Sequence, residues 1–324
     1  MHEIFIQTEE QRAILDTVSR FVDDEIRPRS AELDANQDPE ESFSWEIIEA
    51  ADRLGLRTMT LSEDHGGLGA DSLTTAMVVE ELAKGDLGIS VVLAQTLKLA
   101  QIMEKALNDE QKERVLDKFI GDPRCCLAIG ITEPDNASSY FLPYPSSFRT
   151  TAEKSEGGWI VNGMKHFISN GNRSGFYLLF VQTEKGVGLA EGSTCFLLER
   201  DRDGFTIGHV HDKMGERLAN NAELVFQDCF IPDENVVGEV GKGFSVLAKF
   251  FPQSNAYAGA SITGVAEACY AKAEEWAKIR VQGGKPLIEH DGIRAQLAEM
   301  RMQIDASRSY IHRACWLADN QEHG

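Results

Sequence analysis

The texture of the chain changes twice, and this limits its fold more than any other feature. Up to residue 121 the apolar residues recur at helical spacing. From Pro123 the segments Cys125 to Thr132, Phe148 to Ala152, Trp159 to Asn162, Phe176 to Gln182, Ser193 to Leu198, Phe205 to Val210 and Glu223 to Phe230 are short runs separated by turn residues, ending near Pro232. Helical periodicity returns after Gly243. The expectation is an α+β protein: an N-terminal α-helical domain over 1–121, a central antiparallel β domain over 122–235, closed or sandwich-like, and a C-terminal helical bundle domain over 236–324.

Local signals place the helices. Thr8-Glu9-Glu10-Gln11 has the form of a capping box, and Leu15, Val18, Val22 and Ile26 follow on one face. Further helices are expected from Ser44 to Leu54, stopped by Gly55, from Asp71 through Lys84, and from about Ser90 to Ala106, with a Gly66-Gly67-Leu68-Gly69 turn between the first two. Ile293, Leu297, Met300, Ile304 and Ile311 mark a long final helix. Its end, ADNQEHG, reads as the start of an interhelical loop, so the C-terminal domain is expected to be incomplete and to lack a layer over Leu297, Ile304 and Ile311.

Composition narrows the partners. With 52 acidic against 32 basic side chains, the formal charge of -20 opposes phosphate backbones and anionic membranes, so no nucleic-acid binding is expected. A local basic pocket for an anionic cofactor stays compatible with that charge, because a few nearby groups set the field at a site. The six cysteines show neither CxxC spacing nor a clustered framework, which points to reduced thiols, a reducing compartment and no metal centre. Residues 1 to 25 carry no secretory pattern and no window reaches the roughly 18 apolar residues of a membrane span, so the expected location is cytoplasmic, or the mitochondrial matrix after processing, without membrane insertion.

KHFISNG, residues 165–171, stands out within the strand-rich part. Asn170 and Gly171 tolerate positive φ and suit a turn. A simple hairpin leaves His166, Phe167 and Ser169 unexplained. In chain order this motif is joined by EDHGGLG (63–69), GITEP (130–134), KMGER (213–217), EVGKGF (239–244) and RVQGGKPLIEH (280–290). Together these resemble the acyl-CoA dehydrogenase family over essentially the whole chain. That resemblance implies a β domain between two helical regions, FAD in the crevice among them, an acyl-CoA substrate, an electron-transfer flavoprotein or similar acceptor, and a homodimer or homotetramer. By the same resemblance, Phe167 packs against the flavin ring and Ser169 hydrogen-bonds near its hydride-accepting nitrogen. Ile129, Ile131 and Thr132 line the second flavin wall, with Ser138 at the mouth where the CoA ester lies. Arg280, with Gln282 beside it, reaches the FAD of a neighbouring subunit, a task suited to a permanently charged bidentate donor.

Several positions depart from the family pattern. Phe167 and Ser169 replace the more common Trp and Thr, keeping the aromatic face and the hydroxyl with less bulk. Asn136, Ala137 and Ser139 alter the loop after Glu133 and Pro134, two residues that read as a simple turn, and YFLPYPSS follows as a short insertion. Gly283 stands where Phe is common, and Asn255 where a substrate-side arginine is usual. α,β-Desaturation needs a carboxylate to remove the α proton, yet PQSNAY, residues 252–257, contains none. The catalytic residue is therefore unassigned, a glutamate being expected beyond Gly324. The reading is FAD-dependent α,β-desaturation of an acyl-CoA thioester in fatty acid metabolism. Its alternatives are enoyl-CoA reduction, desulfination or oxygenation on the same cradle, or a silent flavin-binding homologue.

Overall fold

The computed structural model describes residues 7–136, 147–248 and 251–320. They form two compact units, Met1–Ala31 with Asp71–Val91 and Pro252–Gly324, and Glu32–Ala70 with Val92–Phe251.

The first unit is helical. Helix α1 (Glu9–Phe21) starts at the expected capping box, in which the Thr8 hydroxyl accepts the Gln11 N–H and the Gln11 side chain accepts the Thr8 N–H. A π turn at Val22–Ile26 joins it to α2 (Arg27–Asp34), beside Pro28, which has no N–H to give the helical ladder. Helix α4 (Ser72–Ala83), capped by Asp71, packs closely on α9 (Phe251–Ile279). A Cβ on Gly264 would lie 2.1 Å from the Glu80 carbonyl oxygen, so only glycine permits that approach. Ser90 donates to the Val79 carbonyl at 2.8 Å and meets Ser261 at 3.0 Å in the same region.

Helix α10 (Asp291–Asn320) corrects two expectations. Ala318, Asp319 and Asn320 are helical rather than loop, and the Asp319 carboxylate accepts both the backbone N–H and the hydroxyl of Ser72 at 2.7 and 2.6 Å. Leu297 and Ile304 are buried, and Ile311 packs at Gly259, so these apolar groups are covered within the unit itself.

The second unit is built on one sheet of eight strands, β1 (Cys126–Gly130), β2 (Thr151–Ser155), β3 (Gly158–Ser169), β4 (Ser174–Gln182), β5 (Ser193–Glu199), β6 (Phe205–Val210), β7 (Asn221–Pro232) and β8 (Val236–Val237). Their order is β6-β7-β3-β2-β4-β5-β8, with β1 joining β4 in parallel and antiparallel pairing along most of the path. Along β4, Phe176, Leu178 and Phe180 enter one apolar cluster and Tyr177, Leu179 and Val181 the other. Both faces are therefore covered, which is why β4 is an almost unbroken apolar run.

The first cluster takes in α5 (Leu87–Ala106), which runs on from the first unit, and α6 (Asp109–Gly121); α3 (Trp45–Arg53), α7 (Leu189–Gly192) and α8 (Gly243–Ala248) complete the sheet unit. By length and composition α5 does reach the membrane-span criterion, contrary to the sequence reading. Two thirds of that window, 67%, is buried inside the protein.

KHFISNG is not a hairpin, since β2 lies between β3 and β4. Asn170 has the positive φ expected, 60°, but is buried, and its amide donates to the Val92 and Leu127 carbonyls at 3.2 and 3.3 Å. The residue ends β3 by tying it to α5 and β1.

Gly264→Ala should lower stability by about 1–3 kcal/mol through overpacking. Helix propensity alone would give a gain of roughly 0.5–1 kcal/mol. Urea denaturation of the two proteins reads the sign directly.

Candidate functional site

The segment after β1 is held against β3 by a buried ion pair. Lys165 donates to the Glu133 carboxylate at 2.8 Å and to the Ile131 carbonyl at 3.1 Å, and its ammonium lies 3.6 Å from the centroid of the Phe148 ring. Glu133 also accepts the N–H groups of Arg149 and Thr150 at 2.7 and 3.0 Å. Both side chains are shut off from solvent. Burial acts to raise the Glu133 carboxyl, but Lys165 and the hydrogen bonds outweigh it and hold the group below the ordinary range. Burial lowers Lys165 to about 8, with Glu133 opposing the shift, so the pair is charged at neutral pH. Glu133 does make a tight turn with Asn136, as expected. Its carboxylate, though, is a structural anchor that the turn reading missed; a lysine inside a strand-forming run was the available signal.

This anchor sets out a patch at the ends of β1 and β3. The Thr132 carbonyl accepts the His166 N–H at 2.7 Å, Ile131 is buried, and Ile129 and Thr132 are half-buried. Phe167 sits in the left-handed region at φ 56° and is 55% exposed. A bulky residue pays for that conformation, and it persists only where the surroundings dictate it. Here Asn221 donates to both the Phe167 carbonyl and the Ser169 hydroxyl oxygen, each at 3.1 Å. The Phe167 ring leans on His166 and His211, with centroids 4.1 and 4.5 Å away. His211 is held below the ordinary histidine range by burial first, then by His166 and His209.

Ile129, Ile131, Thr132, Phe167 and Ser169 thus belong to one unit and one neighbourhood. Ser138 lies outside the described residues. Arg280, Gln282 and Asn255 belong to the helical unit and are exposed. Arg280 precedes and Gln282 ends the first strand of a hairpin, β9 (Val281–Gln282) with β10 (Lys285–Pro286), turned by Gly283 and Gly284 at φ 58° and 83°. Gly283 therefore has a backbone reason to be glycine, apart from any lost stacking partner.

The patch fits a flat, partly apolar cofactor. It offers an aromatic face left open at a strained position, and the Ser169 oxygen accepts from Asn221, which leaves its O–H available to donate.

The arrangement defines a class. Residues 8–122, 128–229 and 241–324 match the N-terminal, middle and C-terminal domains described for acyl-CoA dehydrogenases. The chain belongs to the acyl-CoA dehydrogenase family. It is 35% identical over 315 residues to the short-chain specific acyl-CoA dehydrogenase of Megasphaera elsdenii, covering 96% of this chain and 79% of that protein. The solved structure of butyryl-CoA dehydrogenase from Megasphaera elsdenii superimposes with a TM-score of 0.89 at 33% identity, over 98% of this chain and 82% of the other. PigA with FAD and proline matches with a TM-score of 0.86 at 26% identity, over 97% and 80%.

Lys165→Met should cost about 3–5 kcal/mol in chemical denaturation, because it strands a buried carboxylate, and adding Glu133→Gln should recover part of the loss. The folded-state carboxyl of Glu133 is depressed, so its stabilising contribution is present above about 4.5 and is lost as pH falls through the lower folded value. The stability gap between the unaltered protein and Glu133→Gln should narrow below that pH.

Proposed function

We propose that this chain is an FAD-dependent oxidoreductase that α,β-desaturates an acyl-CoA thioester and passes the electrons to a separate flavoprotein. The observation that carries the reading is Phe167, an open aromatic face held at positive φ beside Ser169 and Thr132. FAD supplies the hydride acceptor when bound. The chain's own residues do the rest: Phe167 and the half-buried Ile129 offer apolar surface to the ring system, with Ile131 packed in the core, while Ser169 and Thr132 offer hydroxyl hydrogens at its polar edge. Ser138 and Asn255 are assigned to the acyl-CoA side, Asn255 giving a neutral hydrogen bond where an arginine would give a charge.

Arg280 and Gln282 are assigned to the FAD of a second copy of the chain. The exposed Trp276, Ile279 and Val281 around Arg280 support an interface there and hence a homodimer or homotetramer. The three-part division at 1–121, 122–235 and 236–324 and a cytoplasmic or mitochondrial-matrix location belong to the same reading. A second reading has its own support. Residues 252–257 hold no carboxylate, which supports a reaction on the same cradle that takes no proton from the α carbon, such as oxygenation.

Anaerobic bleaching of the bound flavin by a panel of saturated acyl-CoA thioesters tests the main reading. Bleaching by a member of the panel is the expected result; rapid reoxidation of chemically reduced flavin by dioxygen, without any bleaching, would replace it with the second. Phe167→Ala should weaken flavin retention by on the order of 1–3 kcal/mol. Ser169→Ala should cost roughly 0.5–1.5 kcal/mol, as one hydrogen bond. Visible-absorbance titration with FAD measures both. Arg280→Ala should lower FAD affinity and subunit association together, read by the same titration and by sedimentation; loss of neither removes Arg280 from the site.

A further inference from the structure

Glu223 of β7 lies between two β-bulges. On one side Lys165 pairs with Leu224 and Ile168 with Ala222, so β3 spends one extra residue opposite Glu223. On the other side Ile207 pairs with Leu224 and Val210 with Ala222, so β6 does the same. A bulge re-aims the side chains around it, and these two bring His166 and His211 toward one carboxylate. The His166 Nε2 lies 3.2 Å from Glu223 Oε1, and the His166 and His211 rings meet edge to face at 4.6 Å. The other Glu223 oxygen accepts the His209 N–H at 3.1 Å, where a Cβ on Gly208 would come within 2.7 Å of it.

A simple ion pair does not account for this geometry. His166 Nδ1 and His211 Nε2 are both buried with no hydrogen-bond partner. Two orphaned imidazole nitrogens beside a fixed carboxylate are the donor set of a metal site. One ligand atom from each of the three residues can be chosen within 4.8 Å of the others. Tetrahedral coordination at roughly 2.0–2.2 Å needs ligand atoms about 3.3 Å apart, a closure within reach of small side-chain rotations. Lys213, which pairs with Glu216 at 3.7 Å, also stands near His211 and opposes a cation there, leaving the imidazoles and Glu223 to outweigh it.

We propose that His166, His211 and Glu223 bind a divalent ion of the zinc class, with water completing the coordination. Two imidazoles select such ions over magnesium or calcium. The ion joins β3, β7 and the residue after β6 directly behind the Phe167 ring, which rests on both histidines. No CxxC signature announces the site, and although His211 ends a His-x-His run, His209-Val210-His211, the three ligands come from separate segments.

The test uses the full chain stripped with a chelator and dialysed, without regard to its flavin content, so its outcome is separate from the flavin reading. Zinc is titrated in competition with a chromophoric chelator. The expected result is one zinc per chain at micromolar concentration, a rise in thermal midpoint, and no effect of magnesium. His211→Ala and Glu223→Gln should each weaken zinc by about tenfold or more, while His290→Ala should leave it unchanged. Should the variants misfold by circular dichroism, the visible spectrum of the cobalt-loaded unaltered protein decides: intense bands of a tetrahedral nitrogen-oxygen site support the proposal, and their absence overturns it. Absence of zinc binding, or binding undiminished in folded His211→Ala and Glu223→Gln, also overturns it.

Discussion

The buried contact between Lys165 and Glu133 is the constraint on which the site region depends. Desolvating two charges is expensive, and their attraction repays the cost only when the remaining donors and acceptors are also satisfied. Glu133 meets that condition with Arg149, Thr150 and Lys165, and Lys165 with Ile131 and the Phe148 ring. The pair therefore ties the end of β1, the approach to β2 and the middle of β3 in one arrangement. Phe167 and Ser169 follow two and four residues later on the same strand, so their positions inherit that geometry.

The helical unit uses charge differently. Glu267 accepts a two-point contact from Arg301 at 2.7 and 2.9 Å and another from Arg308 at 2.6 Å, while Arg308 also reaches Glu80. Hydrogen bonding from Arg301 comes first among the causes that hold the Glu267 carboxyl down at about 2, against the opposing effect of burial. This network is partly open to solvent, so it aligns α4, α9 and α10 more than it stabilises them. The close approach at Gly264 and the Ser90–Ser261 contact supply the packing against which it is aligned.

Much of the fold was legible in single residues. Thr8 and Gln11 form their capping box, Asp71 caps α4, and most of the predicted strand runs have a matching strand. Such signals are local: a cap or an alternating run acts through neighbours a few residues away. What was misread depends on distant partners. Glu133 looked like a turn residue, its partner lying 32 positions onward; Asp319 looked like loop until Ser72, 247 positions back, supplied its donors. Phe148 to Ala152 was placed too early, since β2 begins only at Thr151, where pairing with Asn162 sets the register.

The sequence by itself determined the order of helical and strand-rich segments, the caps that start several helices, and the family to which the motifs point, because periodicity and spacing are written along the chain. Only the tertiary structure decided that KHFISNG is the bulged end of an interior strand, that Phe167 takes a left-handed conformation with its ring open, and that His166, His211 and Glu223 converge. The physical reason is register. Two extra residues, one in each strand flanking Glu223, change which side chains meet, and a register shift leaves no trace in composition or periodicity.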